Sequence, residues 1–376
     1  MEESDQTTLW QLAVFGCIDG IGRRTLRKVL KYRTEQRLNW RDLWVPTPAA
    51  CTFLALTTKQ IESIRNANKE HISNSLKTSV STHGLRLIGA ECSEYPPLLK
   101  ESDDPPPVLF VKGAQMQWSA GSIPIAMVGT RNITAYGRLV TEKIAGELAD
   151  LGCTIVSGLM YGVDSVAHLT TVCTGGITIA VLGYGFDHCY PEEHRPVMDE
   201  LLTKGATLIS EYPPWKIAKK GNFPARNSIV AGMSAAVVVT EAAQKSGSMI
   251  TAQCAIDDGR AVCAVPGPIT NPYCEGTKWL INEGATLISS GAEVLEQIYR
   301  PAMAIANLTS RPKQRQIPSN VSATGQRVLT ALTNQPQTFD ELANSLKISP
   351  TTLLAELSQL ELCGLLINEA GRLIVS

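Results

Sequence analysis

Between Pro213 and Thr240 the chain carries Lys216, Lys219, Lys220 and Arg226 and no Asp or Glu, although the whole protein has a formal net charge of -1. Within that window the run Lys220-Gly221-Asn222-Phe223-Pro224-Ala225-Arg226-Asn227 sets two cations, an aromatic ring and a side-chain amide close together on what reads as a loop. Cations suit phosphates, and a ring suits an unstacked base. A second run, Lys245-Ser246-Gly247-Ser248-Met249-Ile250-Thr251, follows an apolar strand and opens a helical stretch. It places backbone amides, two hydroxyls and a cation at a helix N-terminus, which makes a phosphate cradle. Arg131, in the turn Gly129-Thr130-Arg131-Asn132, is expected at the same end of the same sheet.

Other chemistries lack their parts. The first strand of the central region does not run into GxGxxG, and Gly183-Tyr184-Gly185 is only a fragment of it, so no nicotinamide or flavin cofactor is expected. Ser157, Asp164 and His168 are the residue types of a hydrolase triad, but no GxSxG elbow exists, and capping and helix packing account for them. His188, Cys189 and His194 approach metal spacing without a second ligand pair. No catalytic residue and no metal ligand is therefore assigned.

The elements that must position these residues repeat through the middle third as an apolar strand followed by a helical stretch. The strands expected are 123–128, 154–157, 178–182, 207–211, 235–240, 261–265 and 286–289. Leu139, Ile144 and Leu148 recur at helical spacing and predict a crossover helix over 136–151. Runs apolar throughout belong in a parallel sheet covered on both faces, a doubly wound α/β domain that binds ligands at the carboxyl ends of its strands.

Ahead of this domain, Phe15 to Gly22 separates two short helical patterns and resembles a helix-hairpin-helix. Arg23, Arg24, Arg27 and Lys28 follow at once. Either the Gly20-Ile21-Gly22 turn contacts a phosphate backbone or the hairpin is a small packing module with a solvated basic face. Residues 83–113 read as an extended lead-in to the sheet. After a polar, basic linker over 301–319, three helical patterns (326–332, 338–346 and 350–362) and a hairpin turning at Gly371 describe a winged helix. From Thr338 to Ser376 two cations face five carboxylates, net -3. A recognition helix with two glutamates and no cation repels phosphates, so the tail reads as a protein-interaction module.

Length and composition agree with this division. The 376 residues suit two or three domains, and 44% hydrophobic with 18% charged residues leaves no global charge to drive the chain onto a polyanion or a membrane. The ten cysteines form no CxxC pair. The acidic start Met-Glu-Glu-Ser-Asp is unlike a signal peptide, and no apolar run is long enough to span a bilayer, so a cytoplasmic protein without membrane insertion is expected.

The order and wording of the motifs resemble one family strongly, the DNA-processing protein A family (DprA, also called Smf). The matching stretches are Val128-Gly129-Thr130-Arg131, Ile155-Val156-Ser157-Gly158-Leu159, Gly162-Val163-Asp164 with Ala167-His168, Tyr190-Pro191, Ser210-Glu211, Phe223-Pro224-Ala225-Arg226-Asn227, Ser246 to Ala252 and Val265-Pro266-Gly267. The resemblance implies an N-terminal helical domain of helix-hairpin-helix or SAM-like type over 1–80, a lead-in and Rossmann-like DNA-binding domain over 81–300, and a winged-helix domain over 320–376. It implies a mediator, not an enzyme: a single-stranded DNA-binding protein of natural transformation and recombination that protects incoming strands and loads the RecA recombinase. It also implies a homodimer formed through the Rossmann-like domain. The family's basic pocket maps onto Arg131, Lys220, Arg226 and Asn227, with Phe223 as the stacking aromatic. To these the helix-start run adds Lys245, Ser246, Gly247 and Ser248.

Two departures stand out. Many members read Arg-Asn-Arg where this chain has Arg226-Asn227-Ser228, leaving Lys245 or Lys219 to compensate, and the Gly-Leu-Ala-Arg-Gly type of segment here reads Gly158-Leu159-Met160-Tyr161-Gly162. A nucleotide phosphoribohydrolase on a related sheet is the rival. It needs a catalytic glutamate, for which this chain offers only Glu241, at the wrong end of its loop.

Overall fold

The computed structural model describes residues 3–118, 122–298, 322–334, 337–362, 366–369 and 372–375. The chain divides into two compact units, Met1–Ala304 and Ile305–Ser376.

In the first unit nine strands form one sheet: β1 (Arg86–Ile88), β2 (Leu109–Gly113), β3 (Pro124–Val128), β4 (Thr154–Ser157), β5 (Ile177–Leu182), β6 (Thr207–Ser210), β7 (Ala236–Val239), β8 (Ala261–Ala264) and β9 (Thr286–Leu287). Their spatial order is β1-β2-β6-β5-β4-β3-β7-β8-β9. Strands β3 to β9 are mutually parallel, as their unbroken apolar runs require, and β3, β4, β6 and β7 are buried along their whole length. Side chains alternate between faces, so Ala180 and Leu182 of β5 enter one core while Ile179 and Val181 enter the other.

Two sequence expectations change. The lead-in is not merely extended, because β1 pairs with β2 and β2 pairs antiparallel with β6, adding an edge to the sheet. The Pro105-Pro106-Pro107 run hid a short strand whose Leu109, Phe110 and Val111 are buried. The crossover helix spans Ala135–Asp150 and buries Ile144 and Leu148, but Leu139 is 66% exposed and belongs to the solvent side.

The N-terminal helices share a core with the sheet: Leu12, Val14 and Phe15 of the Glu3–Gly16 helix belong to the cluster that holds Phe110, Leu182 and Leu208. Arg23, first residue of the Arg23–Glu35 helix, fastens them. Its guanidinium makes a two-pronged ion pair with Glu211 at 2.6 and 2.8 Å and also donates to Ser228 Oγ and to the carbonyls of Asp104 and Ala225. Arg24 and Arg27 both reach Asp104. Three of the hairpin's cations therefore make docking contacts.

The second unit has helices Ala323–Asn334, Phe339–Leu346 and Pro350–Leu362 and a sheet of β10 (Gln337–Thr338), β11 (Leu366–Glu369) and β12 (Arg372–Val375), ordered β10-β12-β11. Val328, Leu342, Leu353, Leu357 and Leu366 close its core, which gives the winged helix expected. The linker 301–319 and the Gly371 turn lie outside the described residues. Among the described residues no helix is long and apolar enough to cross a membrane.

Candidate nucleic-acid interface

The chain order of the parallel strands reverses between β3 and β7, and the loops that leave these two neighbours part there to open a crevice. Both loops are firmly tied. Thr130 N donates to the Glu241 carbonyl at 2.6 Å, and the fully buried Glu241 carboxylate accepts from Thr134 N, Thr134 Oγ1 and Asn271 Nδ2. A β-carbon on Gly129 would lie 2.4 Å from Val163 Cγ2, so the loop packs too closely there for any side chain.

Above them lies a pocket of about 440 Å³, in the size range of small-ligand sites. Eight of the nine residues expected at the site line it, namely Arg131, Phe223, Arg226, Asn227, Lys245, Ser246, Gly247 and Ser248. Lys220 does not. It is exposed in the turn ahead of the Asn222–Gly232 helix and is not among the lining residues.

The loop reading of the 220–227 run is corrected by this helix. Phe223, Arg226 and Asn227 lie in its first turns, where Pro224 is tolerated because an N–H there has no intrahelical partner to lose. The spacing 223, 226, 227, 230 then turns one stripe of the helix to the pocket. Further along, Ile229 and Val230 anchor the helix in the core.

The Phe223 ring is the centre of the site. The guanidinium carbon of Arg131 lies 5.6 Å from its centroid and that of Arg226 lies 5.8 Å away, both within cation–π range. The two cations differ sharply in environment. Arg131 is exposed, whereas Arg226 is only 4% exposed. Arg226 Nη1 stands 3.9 Å from Asp164 Oδ2 and donates weakly to the Val181 carbonyl at 3.4 Å, while Nε has no hydrogen-bond partner among the described residues. Burial pulls the Arg226 pKa down and Asp164 opposes that pull. Burial pushes the Asp164 carboxyl up, opposed first by Arg226 and then by the hydrogen bond from Met160 N. Asp164 is thus the counter-ion of a buried cation, a role that sequence reasoning missed. The available signal was a charge on the apolar side of a helix, which demands a partner.

The helix Gly247–Asp257 points its N-terminus at the same pocket. The expected cradle of amides is partly filled by its own cap. Ser246 Oγ accepts from Ser248 N and lies 2.7 Å from Ser248 Oγ, and Met249 N donates to the Ser246 carbonyl. Two hydroxyls, the exposed Lys245 and the positive helix end still face the pocket, while Asn227 Nδ2 ties the first helical turn by donating to the Gly247 carbonyl.

The triad residue types form no relay, although Ser157 hydrogen-bonds the Asp164 carboxyl. Ser157 Oγ donates to the Met127 carbonyl and the buried His168 pairs through Nδ1 with Thr178 Oγ1 at 2.7 Å. His188, Cys189 and His194 each engage a backbone carbonyl. Glu241, the rival reading's acid, does not line the pocket.

Comparison with known proteins bears on this geometry. The family model for DNA recombination-mediator protein A matches residues 86–299, more than half of the chain. The chain belongs to that family. A second model, the DprA winged helix domain, matches residues 312–372. Protein Smf of Escherichia coli is 40% identical over 243 residues, covering 65% of this chain and 64% of that protein's length, just under two thirds. DNA processing protein DprA of Bacillus subtilis is 41% identical over 215 residues, 57% of this chain and 72% of that one. Among solved structures, DprA from Streptococcus pneumoniae superposes with a TM-score of 0.67 at 30% identity, covering 77% of this chain and 97% of that one. DNA processing protein A from Helicobacter pylori, whose structure describes its single-stranded DNA binding mode, has a TM-score of 0.52 at 28% identity and covers 58% of this chain and 98% of that one.

Proposed function

We propose that this chain binds single-stranded DNA without sequence preference in the pocket at the β3/β7 crevice and serves as a recombination mediator that carries the strand to a RecA-type recombinase. The observation that carries the reading is the grouping of Arg131 and Arg226 about the Phe223 ring beside the N-terminus of the Gly247–Asp257 helix. A phosphodiester fits the exposed guanidinium, Lys245 and the helix end, and a base fits the aromatic ring. Single strands are favoured because a ring inside a pocket can meet a base only when that base is unpaired.

The expectations of a cytoplasmic protein, a homodimer joined through the sheet domain, protection of incoming DNA and a role in natural transformation belong to this proposal, and family membership supports them. On the same reading the protein is a mediator, with no reaction of its own. The test is a titration of the purified chain against single-stranded and duplex DNA of equal length at two salt concentrations. Tighter binding of the single strand, weakened by salt with a logarithmic slope of about -0.7 for each phosphate held, is expected. Equal affinity for both forms, or none for either, overturns the reading.

A further inference from the structure

Outside the pocket, the same end of the sheet presents two more aromatic rings to solvent. Tyr190 and Tyr161 are each 41% exposed. Tyr190, in the connection after β5, places its ring 5.6 Å from Phe223 with the planes inclined at 45°, and 6.5 Å from the buried Tyr184. Tyr161 directly follows Met160, which lines the pocket, in the turn after β4. Its ring meets His194 edge-on at 4.2 Å, and its hydroxyl donates to Glu193 Oε2 at 3.0 Å. His194 is itself held at the Leu159 carbonyl. Both rings are therefore positioned by neighbours while keeping area open to solvent.

The order of strands gives these rings a direction. Across β7, β3, β4 and β5 the loops carry in turn Lys245 with the helix start, Arg131, Tyr161 and Tyr190. Charge changes along the same line, from cations and hydroxyls to aromatic rings beside the exposed carboxylate of Glu193, while that of Glu192 is paired with Arg195 at 3.0 Å. Carboxylates turn phosphates away, while ring faces take bases of any identity. A strand whose phosphates lie toward β7 and β3 thus turns its bases toward β4 and β5.

We infer that Tyr190 and Tyr161 form a stacking rim on the β4 and β5 side of the pocket for the bases that extend beyond Phe223. This rests on the single-stranded DNA reading above and extends the site to two residues beyond the pocket.

The experiment uses the full chain and thymidine oligonucleotides of two lengths, about three and about ten nucleotides, the longer also made with 2-aminopurine at successive positions. Tyr190→Leu and Tyr161→Leu are compared with Tyr190→Phe and Tyr161→Phe. The expected result is that each Leu variant binds the longer strand about tenfold more weakly, loses ring quenching of 2-aminopurine at one position and keeps its affinity for the short strand, while the Phe variants match the parent. Leu variants equal to the parent on the long strand overturn the rim while leaving the pocket reading intact, provided Arg131→Ala still weakens binding. Equal loss on both lengths shows the rings to be structural supports and also overturns it. Failure of the parent protein to bind either oligonucleotide overturns the rim together with the reading beneath it.

Discussion

A β-carbon on Gly158 would lie 1.2 Å from Arg226 Nη1, so the guanidinium of the buried cation rests on a stretch of backbone that no residue other than glycine leaves bare. With Asp164 at 3.9 Å on the same guanidinium, Arg226 has no room to retreat while keeping its counter-ion. Gly158→Ala should therefore act at a distance, pushing Arg226 out and leaving Asp164 buried without a partner. Separating such a pair costs about 3–5 kcal/mol. Thermal unfolding of the variant should reveal that loss, and DNA titration should show a defect as large as that of Arg226→Ala. Parent-like stability and binding in Gly158→Ala would refute this packing.

Phe223 and Arg131 do different things to a bound strand, and salt separates them. Phe223→Ala should cost roughly 1–3 kcal/mol of binding on every base sequence, since ring stacking reads no base identity. Arg131→Ala should weaken binding and flatten the logarithmic salt dependence by about 0.7, the loss of one phosphate contact on a single strand. Anisotropy titrations on thymidine and adenosine oligonucleotides over a salt series measure both, and a Phe223→Ala effect confined to one base would count against stacking.

The parallel sheet was legible because β3, β4 and β7 are each an uninterrupted apolar run between small-residue turns, a pattern suited only to burial on both faces. The convergence of most expected residues on one pocket was legible for the same reason, since loops and helix starts gather at strand ends, although Lys220 stays outside it. Its chemistry was less so. Phe223-Pro224-Ala225-Arg226 resembles a turn until the rest of the helix is seen to bury Ile229 and Val230, which carries Arg226 into the interior. Asp164 and Tyr190 become partners of that segment only through the crossing of three connections, which no local pattern encodes. Leu139 shows the converse, a residue at the right spacing that the rotation of its helix leaves outside.

His168 should make stability fall on mild acidification. Burial, with Arg226 adding to it, lowers its pKa from 6.5 to about 3, so the folded state holds the neutral ring. A depressed value means that the stabilisation is complete above the unfolded pKa near 6.5 and is lost as pH falls from there toward 3. Between pH 7 and pH 5 the loss should be about 2 kcal/mol. Urea unfolding of the parent and of His168→Leu at both pH values isolates it, because the variant should lack this component of the pH dependence.

The winged helix has its own core of Val328, Leu342, Leu353 and Leu357, and the first unit buries separate clusters of its own. A chain ending at residue 304 should therefore fold and bind single-stranded DNA within about twofold of the full protein, since every pocket residue lies before that point. Loss of all binding on truncation would assign strand recognition to the tail, against the charge of its third helix.

Glu241 decides between the mediator and the rival hydrolytic reading. Its carboxylate accepts three hydrogen bonds, from Thr134 N at 2.9 Å, Thr134 Oγ1 at 2.7 Å and Asn271 Nδ2 at 2.7 Å, and so holds the start of the Ala135–Asp150 helix against the β7 loop. In Glu241→Gln one acceptor becomes a donor that faces donors, at a cost of about 1–3 kcal/mol. The expected phenotype is a lowered melting temperature with single-stranded DNA binding retained below it. Neither parent nor variant should release free base from a nucleoside monophosphate. A carboxylate spent on three donors outside the pocket is a brace for the loops, and base release that vanished in Glu241→Gln would show instead that this brace is an active acid.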